Sequence, residues 1–263
     1  MEFLNRLCPI CSSDSKPHGF YSEPFYWKYG VNKDLKVPNW LCINCDLQFF
    51  STVKNINDNA TSLYGGLTLS PAEFVSRHYC LAKTIQDIFP EGCEIVDIGG
   101  GNHDISELLP DNYVCKIFDL FSLEDCNHKR IYFDLSDRNS TNSFDFPSVK
   151  ADIVVLDNVL EHLTHFDCVK ESLIQLKPQF VYVSVPNRRS VKYSFNKKSF
   201  YRPIEHVNSF SPRSIEILMK KISYERVHLN KAPNSFKKLF DLNYQMTMSG
   251  FTALGIYHLF KLH

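Results

Sequence analysis

Residues 94–105, EIVDIGGGNHDI, constrain the fold more than any other part of the chain. A short apolar run carries an acid and ends in three glycines, followed by Asn-His-Asp. An apolar run bounded by glycine reads as a buried strand, and glycines directly after it let the chain turn tightly and a ligand approach the backbone. Comparable apolar runs recur at Val114 to Phe118, Ile153 to Leu156 and Phe180 to Val185, with helical patterns between them. This alternation predicts an α/β architecture with a parallel, doubly wound sheet. In such sheets ligands bind beyond the carboxyl ends of the strands, which is where the glycine turn lies.

Two cofactor chemistries compete for that turn. A dinucleotide fingerprint, G-x-G-x-x-G, requires a third glycine where this chain has Asp104, and an acid at a helix start repels a pyrophosphate. The pattern Asp97-x-Gly99-x-Gly101 instead suits S-adenosylmethionine, which carries an ammonium and no phosphate. Asp97 helps organise that ammonium, and the glycines admit the methionyl part. Asp119, at the end of the next strand, follows Gly99 by 20 residues, where a carboxylate can accept hydrogen bonds from both ribose hydroxyls.

The front of the chain carries different chemistry. LCPIC and LCINC are two C-x-x-C knuckles, Cys8/Cys11 and Cys42/Cys45, separated by 30 residues. Paired knuckles supply the four thiolates of a structural zinc site, which leaves no open position for catalysis. The long gap predicts an inserted hairpin. Residues 1–62 are therefore expected to form a zinc-binding, ribbon-like module, with a polar linker from Lys54 to Ser62, and residues 63–263 the second domain. The other five cysteines are scattered, as reduced thiols are, so a cytoplasmic location is expected. No signal peptide is read in MEFLNRLCPICSS, and MSGFTALGIYHLFKLH is too short and polar to span a bilayer. With 29 basic and 29 acidic residues, the chain has no bulk electrostatic grip on nucleic acid, so none is expected as partner.

Two helices announce themselves by their starts. In SPAEFVSRHYCLAKTIQDIF, Ser70 caps, Pro71 opens and Glu73 closes a capping box, with Phe74, His78, Leu81 and Ile85 on one face. His78 reads as a packed core histidine. In SPRSIEILMKKI, Ser211 caps and Pro212 follows, with Ile215, Leu218, Met219 and Ile222 as the buried face. SYERVHL and MTMSGFTALGIYHLF read as closing strands.

From about residue 63 onward the chain resembles the class I S-adenosylmethionine-dependent methyltransferases, through VDIGGGNH, KIFDLF, YFDLSD, ADIVVLDNVLEHLTH, FVYVSVPN and EHVNSFSPRSIEILMKK in that order. His103 departs from the family, which usually has a third glycine there. The resemblance implies a Rossmann-like sheet of seven strands. It puts Asp134 at the adenine amino group, Leu135 beside the ring, Leu120 beside Asp119 at the cofactor, and Asp157 and Asn158 next to the transferable methyl. Glu161-His162 would open the following helix, Glu161 facing its dipole.

For a hydroxyl acceptor a histidine base is useful, and His162 and His206 are the candidates; His165 reads as a surface or capping residue. Between Pro186 and Pro203 stand Arg188, Arg189, Lys192, Lys197, Lys198 and Arg202 with no acid, interleaved with aromatics. A solvated charged loop and a phosphate clamp both fit; in the clamp, Arg188, Arg189, Lys192 and Arg202 bind the substrate. Methyltransferases with a four-cysteine module often act on sugars, as in bacterial capsule or O-antigen pathways. The expected activity is O-methylation of a small, anionic, phosphorylated or nucleotide-linked metabolite. The rivals are an RNA methyltransferase with a zinc ribbon and a non-catalytic partner protein of the same fold.

Overall fold

The computed structural model of the chain describes residues 5–22, 36–50, 71–100, 105–119, 130–132, 149–189, 206–228, 231–238 and 255–263. Gly101, His103, Asp104, Leu120, Asp134, Leu135, Lys192 and Arg202 lie outside the described residues, as do the expected linker and the Ser70 cap.

The N-terminal module holds β1 (Arg6–Leu7), β2 (Asp14–Ser22), β3 (Lys36–Leu41) and β4 (Gln48–Phe50). β2 and β3 pair antiparallel between the two knuckles, forming the expected inserted hairpin. The chain continues through α1 (Pro71–Ile88), β5 (Glu94–Ile98), β6 (Val114–Asp119), β7 (Arg130–Tyr132), β8 (Ile153–Asp157), α2 (Asp167–Leu176) and β9 (Phe180–Pro186). It ends with β10 (Asn208–Ser209), α3 (Pro212–Lys220), β11 (Tyr224–Arg226) and β12 (Gly255–Leu262).

The main sheet runs β11-β12-β9-β8-β5-β6-β7, seven strands. β5 to β9 pair in parallel, while β12 is antiparallel to both β9 and β11. The chain places β6 and β7 on one side of β5, then returns to lay β8 on the other. The strand order therefore reverses between β5 and β8, and a crevice opens at their carboxyl ends.

The strands are apolar on both faces because both are covered. Val96, Ile98, Val154, Leu156, Val181, Val183 and Val185 pack in one cluster with Cys168, Val169 and Leu173 of α2 and Ile215, Leu218 and Met219 of α3. The intervening Ile95, Ile153, Val155 and Tyr182 pack in the other with Leu81, Ala82 and Ile85 of α1. α3 starts as its sequence predicts: the Ser211 hydroxyl accepts from the Ser214 backbone N–H at 3.3 Å, and the Ser214 hydroxyl accepts from the Ser211 N–H at 2.8 Å. Among the described residues, no helix is long and apolar enough to cross a membrane.

The two parts of the chain interlock. β10 pairs antiparallel with β4, with Asn208 opposite Phe49 and Ser209 opposite Gln48. The smaller sheet is thus β1-β2-β3-β4-β10, completed by a strand that lies far beyond residue 62. Cys8, Trp40, Leu47 and Phe49 belong to the same apolar cluster as Val154, Leu160, Phe166 and Phe210.

Candidate active site

The crevice at the reversal of strand order is built by the glycine turn. Gly99 adopts φ +77°, in the left-handed region, and a Cβ there would meet Val159 Cγ2 at 2.6 Å. Its N–H donates to the Phe118 carbonyl at 2.7 Å, tying the end of β5 to β6. A Cβ on Gly100 would stand 2.8 Å from Asp97 Oδ2. Side chains are thus excluded above the buried Asp97 carboxylate, which is 4% exposed. Asp119, also buried, ends β6 on the same edge; Ile98 pairs with Phe118, so Asp119 stands one residue further, level with Gly99. Gly100 was not singled out in the sequence because D-x-G-x-G leaves that position open, yet it is the glycine that Asp97 crowds.

Asp157 ends β8 on this edge. Its Oδ2 accepts from Arg77 at 2.8 Å and lies 3.1 Å from His78 Nε2, both from α1. Burial alone would raise the Asp157 pKa, but the Arg77 charge and the His78 hydrogen bond outweigh it and bring the carboxyl to about 2. His78 is buried as expected, and it has a polar duty besides. Arg77, 80 residues from Asp157, carried no signal in the sequence. Asn158 follows in the left-handed region with φ 55°, its N–H held by the Ser184 carbonyl at 2.9 Å. A non-glycine residue in that conformation often marks a functional site.

Glu161-His162 does not open a helix. Leu160–His162 is a single 3-10 turn, and α2 starts only at Asp167. Glu161, expected to face a helix dipole, is instead 1% exposed. Its burial, with the nearby Asp157 charge, pushes the carboxyl up to about 8. His162 and His206 come together with ring centroids 4.9 Å apart, and His162 Nε2 lies 4.0 Å from Glu161 Oε1. His165 is exposed.

Arg188 and Arg189, expected as phosphate ligands, are both turned to Asp46 of the second knuckle. Arg189 donates through Nε to Oδ2 at 2.8 Å and through Nη2 to Oδ1 at 2.7 Å, and Arg188 Nη1 donates to Oδ1 at 3.3 Å. Burial of Asp46 works against ionisation, but these two cations overcome it and lower its pKa. These two of the six cations are thus partly neutralised by an acid that sequence spacing did not connect with them.

The four knuckle cysteines converge. Cys8 and Cys45 sulfurs are 3.4 Å apart, as are those of Cys11 and Cys42, and all four lie within 4.8 Å of one another. A disulfide would need about 2.05 Å. A tetrahedral ion with about 2.3 Å bonds spaces its sulfurs by about 3.8 Å, so the cluster is compatible with zinc. The Cys8 thiol is pushed down to about 5 by the hydrogen bond from Cys45, whose own pKa is raised in turn.

A model described as "Methyltransferase domain" matches residues 72–229. No curated protein matches the chain. Among solved structures, the plantazolicin methyltransferase BpumL, in complex with a triazolic desmethylPZN analog and SAH, is similar at 16% identity. That likeness covers 80% of this chain and 91% of that one, with a TM-score of 0.50. The plantazolicin methyltransferase BamL, in the same kind of complex, is 11% identical over 79% of this chain and 89% of its own, also with a TM-score of 0.50. The 1,6-didemethyltoxoflavin-N1-methyltransferase of Burkholderia thailandensis is 12% identical over 89% and 99%, with a TM-score of 0.46.

Proposed function

Because the chain belongs to the methyltransferase family matched over residues 72–229, and so is a methyltransferase enzyme, we propose that it uses S-adenosylmethionine to methylate a hydroxyl of a small metabolite. The observation that carries this reading is the alignment of Asp97, the Gly99–Gly100 turn and Asp119 along one strand edge, where the strand order reverses. The solved structures of similar fold that hold SAH agree with it.

When bound, S-adenosylmethionine supplies a methyl group on a positively charged sulfur, activated for in-line displacement. Asp119 holds the ribose by accepting from its two hydroxyls, and Leu120, Asp134 and Leu135 flank the adenine. Asp97 orients the ammonium, and the side-chain-free surface of Gly99, Gly100 and Gly101 admits the methionyl backbone. Asp157, kept ionised by Arg77 and His78, fixes the floor of the crevice beside the transferable methyl. On the acceptor side, one of His162 and His206 takes the hydroxyl proton as the oxygen attacks.

The chemistry of four convergent thiols fits zinc, and Cys8, Cys11, Cys42 and Cys45 would hold it as a closed, structural centre. Phosphorylated or nucleotide-linked sugars of the capsule or O-antigen type are the acceptors to screen first. Lys192 and Arg202 are assigned to the phosphate, since Arg188 and Arg189 are engaged by Asp46.

Calorimetric titration with S-adenosylmethionine and S-adenosylhomocysteine tests the reading. Binding that is lost in Asp119→Ala supports it. No binding to folded, zinc-loaded protein overturns it.

A further inference from the structure

The Glu161 carboxylate poses a problem of its own. It is 1% exposed, and its Oε2 has no hydrogen-bond partner among the described residues. A buried carboxylate oxygen left without a donor is costly, and native structures normally give such a group a partner or a cation. Two imidazoles stand beside it. One ligand atom from each of Glu161, His162 and His206 lies within 4.8 Å of the others.

This grouping is assembled by tertiary structure from two distant segments. Glu161 and His162 ride on the 3-10 turn after β8. His206 stands just before β10, which is held from both sides. The Phe50 N–H donates to the Val207 carbonyl at 2.9 Å, from the N-terminal module. The buried Asn208 side chain donates to the Leu163 carbonyl and, at 3.5 Å, to the Leu160 carbonyl, clamping β10 onto the turn. His206 is thereby held two residues from a double anchor and next to His162.

We propose that Glu161, His162 and His206 bind a divalent transition-metal ion at the acceptor side of the active site. Two imidazoles and one carboxylate suit zinc, iron, cobalt or manganese, and leave coordination positions open. Ligand atoms about 2.1 Å from such an ion sit about 3 Å apart, so these atoms, now within 4.8 Å of one another, need to draw in by about 1 to 2 Å. Both histidines are half-buried, and rotation about their side-chain bonds is the movement that would bring them in. The contrast with the four-cysteine cluster is functional: that centre is saturated by protein, whereas this one offers the ion to an acceptor oxygen. A metal-bound hydroxyl loses its proton near neutral pH. The ion therefore takes over the work that the proposed function gives to a histidine base. Only this catalytic consequence rests on the methyltransferase reading; the binding of the ion does not.

The test titrates zinc-loaded protein with cobalt(II), following its visible absorption and the total metal content. One further equivalent of cobalt is expected, with a spectrum lacking thiolate charge transfer, while the cysteine-bound zinc stays in place. Glu161→Gln and His206→Ala should each weaken that binding at least tenfold; His206 is in a partly exposed segment, so its variant reports even if Glu161→Gln folds poorly. Absence of the second equivalent from folded wild-type protein, or cobalt affinity undiminished from wild type in both variants, overturns the proposal. Calorimetry with S-adenosylhomocysteine on the same samples shows separately whether the cofactor reading holds.

Discussion

The carboxylate of Asp46 accepts two parallel hydrogen bonds from Arg189, at 2.8 and 2.7 Å, across 143 residues of sequence. The same carboxylate takes Arg188 at 3.3 Å. The second cysteine knuckle is thus bolted to the chain leaving β9, at the rim of the crevice. The two arginines differ in what they contribute: Arg189 is 62% exposed and Arg188 only 10%. Replacing Asp46 by alanine removes a carboxylate that faces the mostly buried Arg188 and should cost about 1–3 kcal/mol in urea unfolding. Arg189→Ala should cost less than about 1 kcal/mol, because an exposed ion pair gains little over its hydration. Equal losses for the two variants would contradict this division.

Asp157 links acid stability to the active site. Its carboxyl is brought from an ordinary value of 3.8 down to about 2. A depressed folded-state value stabilises fully above the unfolded one, and that contribution is lost as pH falls through the folded one. The roughly 2 kcal/mol it represents should fade between about pH 4 and pH 2. Asp157→Asn should be destabilised by about 3 kcal/mol at pH 7, with the buried Arg77 left without the Asp157 counter-charge. The gap to wild type should close as the pH drops through that window. A gap independent of pH would mean that Asp157 acts through shape alone.

Side chains in the glycine turn should harm cofactor binding more than folding. Gly100→Ala drives a methyl into Asp97 Oδ2, displacing the carboxylate that orients the ammonium. Gly99→Ala adds the cost of a positive φ, about 1 kcal/mol, to its contact with Val159. Calorimetry should show at least a tenfold weaker affinity for S-adenosylhomocysteine in each, with far-ultraviolet circular dichroism unchanged. Wild-type affinity in Gly100→Ala would remove Asp97 from the cofactor site.

Removal of zinc should be felt by the whole chain. β4 and β10 share a sheet, and the knuckle cysteines share a core with β8 and β9. Chelation, or Cys42→Ala, should therefore lower the midpoint of one common thermal transition in calorimetry. A separate early transition, with the main unfolding unmoved, would show the module to be independent. Elemental analysis should find one zinc per chain held by these cysteines before chelation.

The sequence by itself determined the parts whose signals are local. The apolar runs at Glu94, Val114, Ile153 and Phe180 became the central parallel strands because a strand covered on both faces must be apolar at consecutive positions. The Ser211 cap and the buried face of α3 followed from helical spacing, and the two knuckles from ligand spacing. The acids at the ends of β5, β6 and β8 were legible because strand ends point at the crevice. Tertiary structure alone decided who those residues meet. Arg77 reaches Asp157 across 80 residues, Asp46 reaches Arg188 across 142, and β4 recruits β10. Asn208 brings His206 against a turn that carries a buried Glu161. No local pattern encodes such pairings, because each depends on where two remote segments land when the apolar faces close. Burial and partners then set their charges: Asp157 and Glu161 both lose water, but Asp157 gains Arg77 and His78 and stays ionised, whereas Glu161 faces the Asp157 charge and its pKa rises.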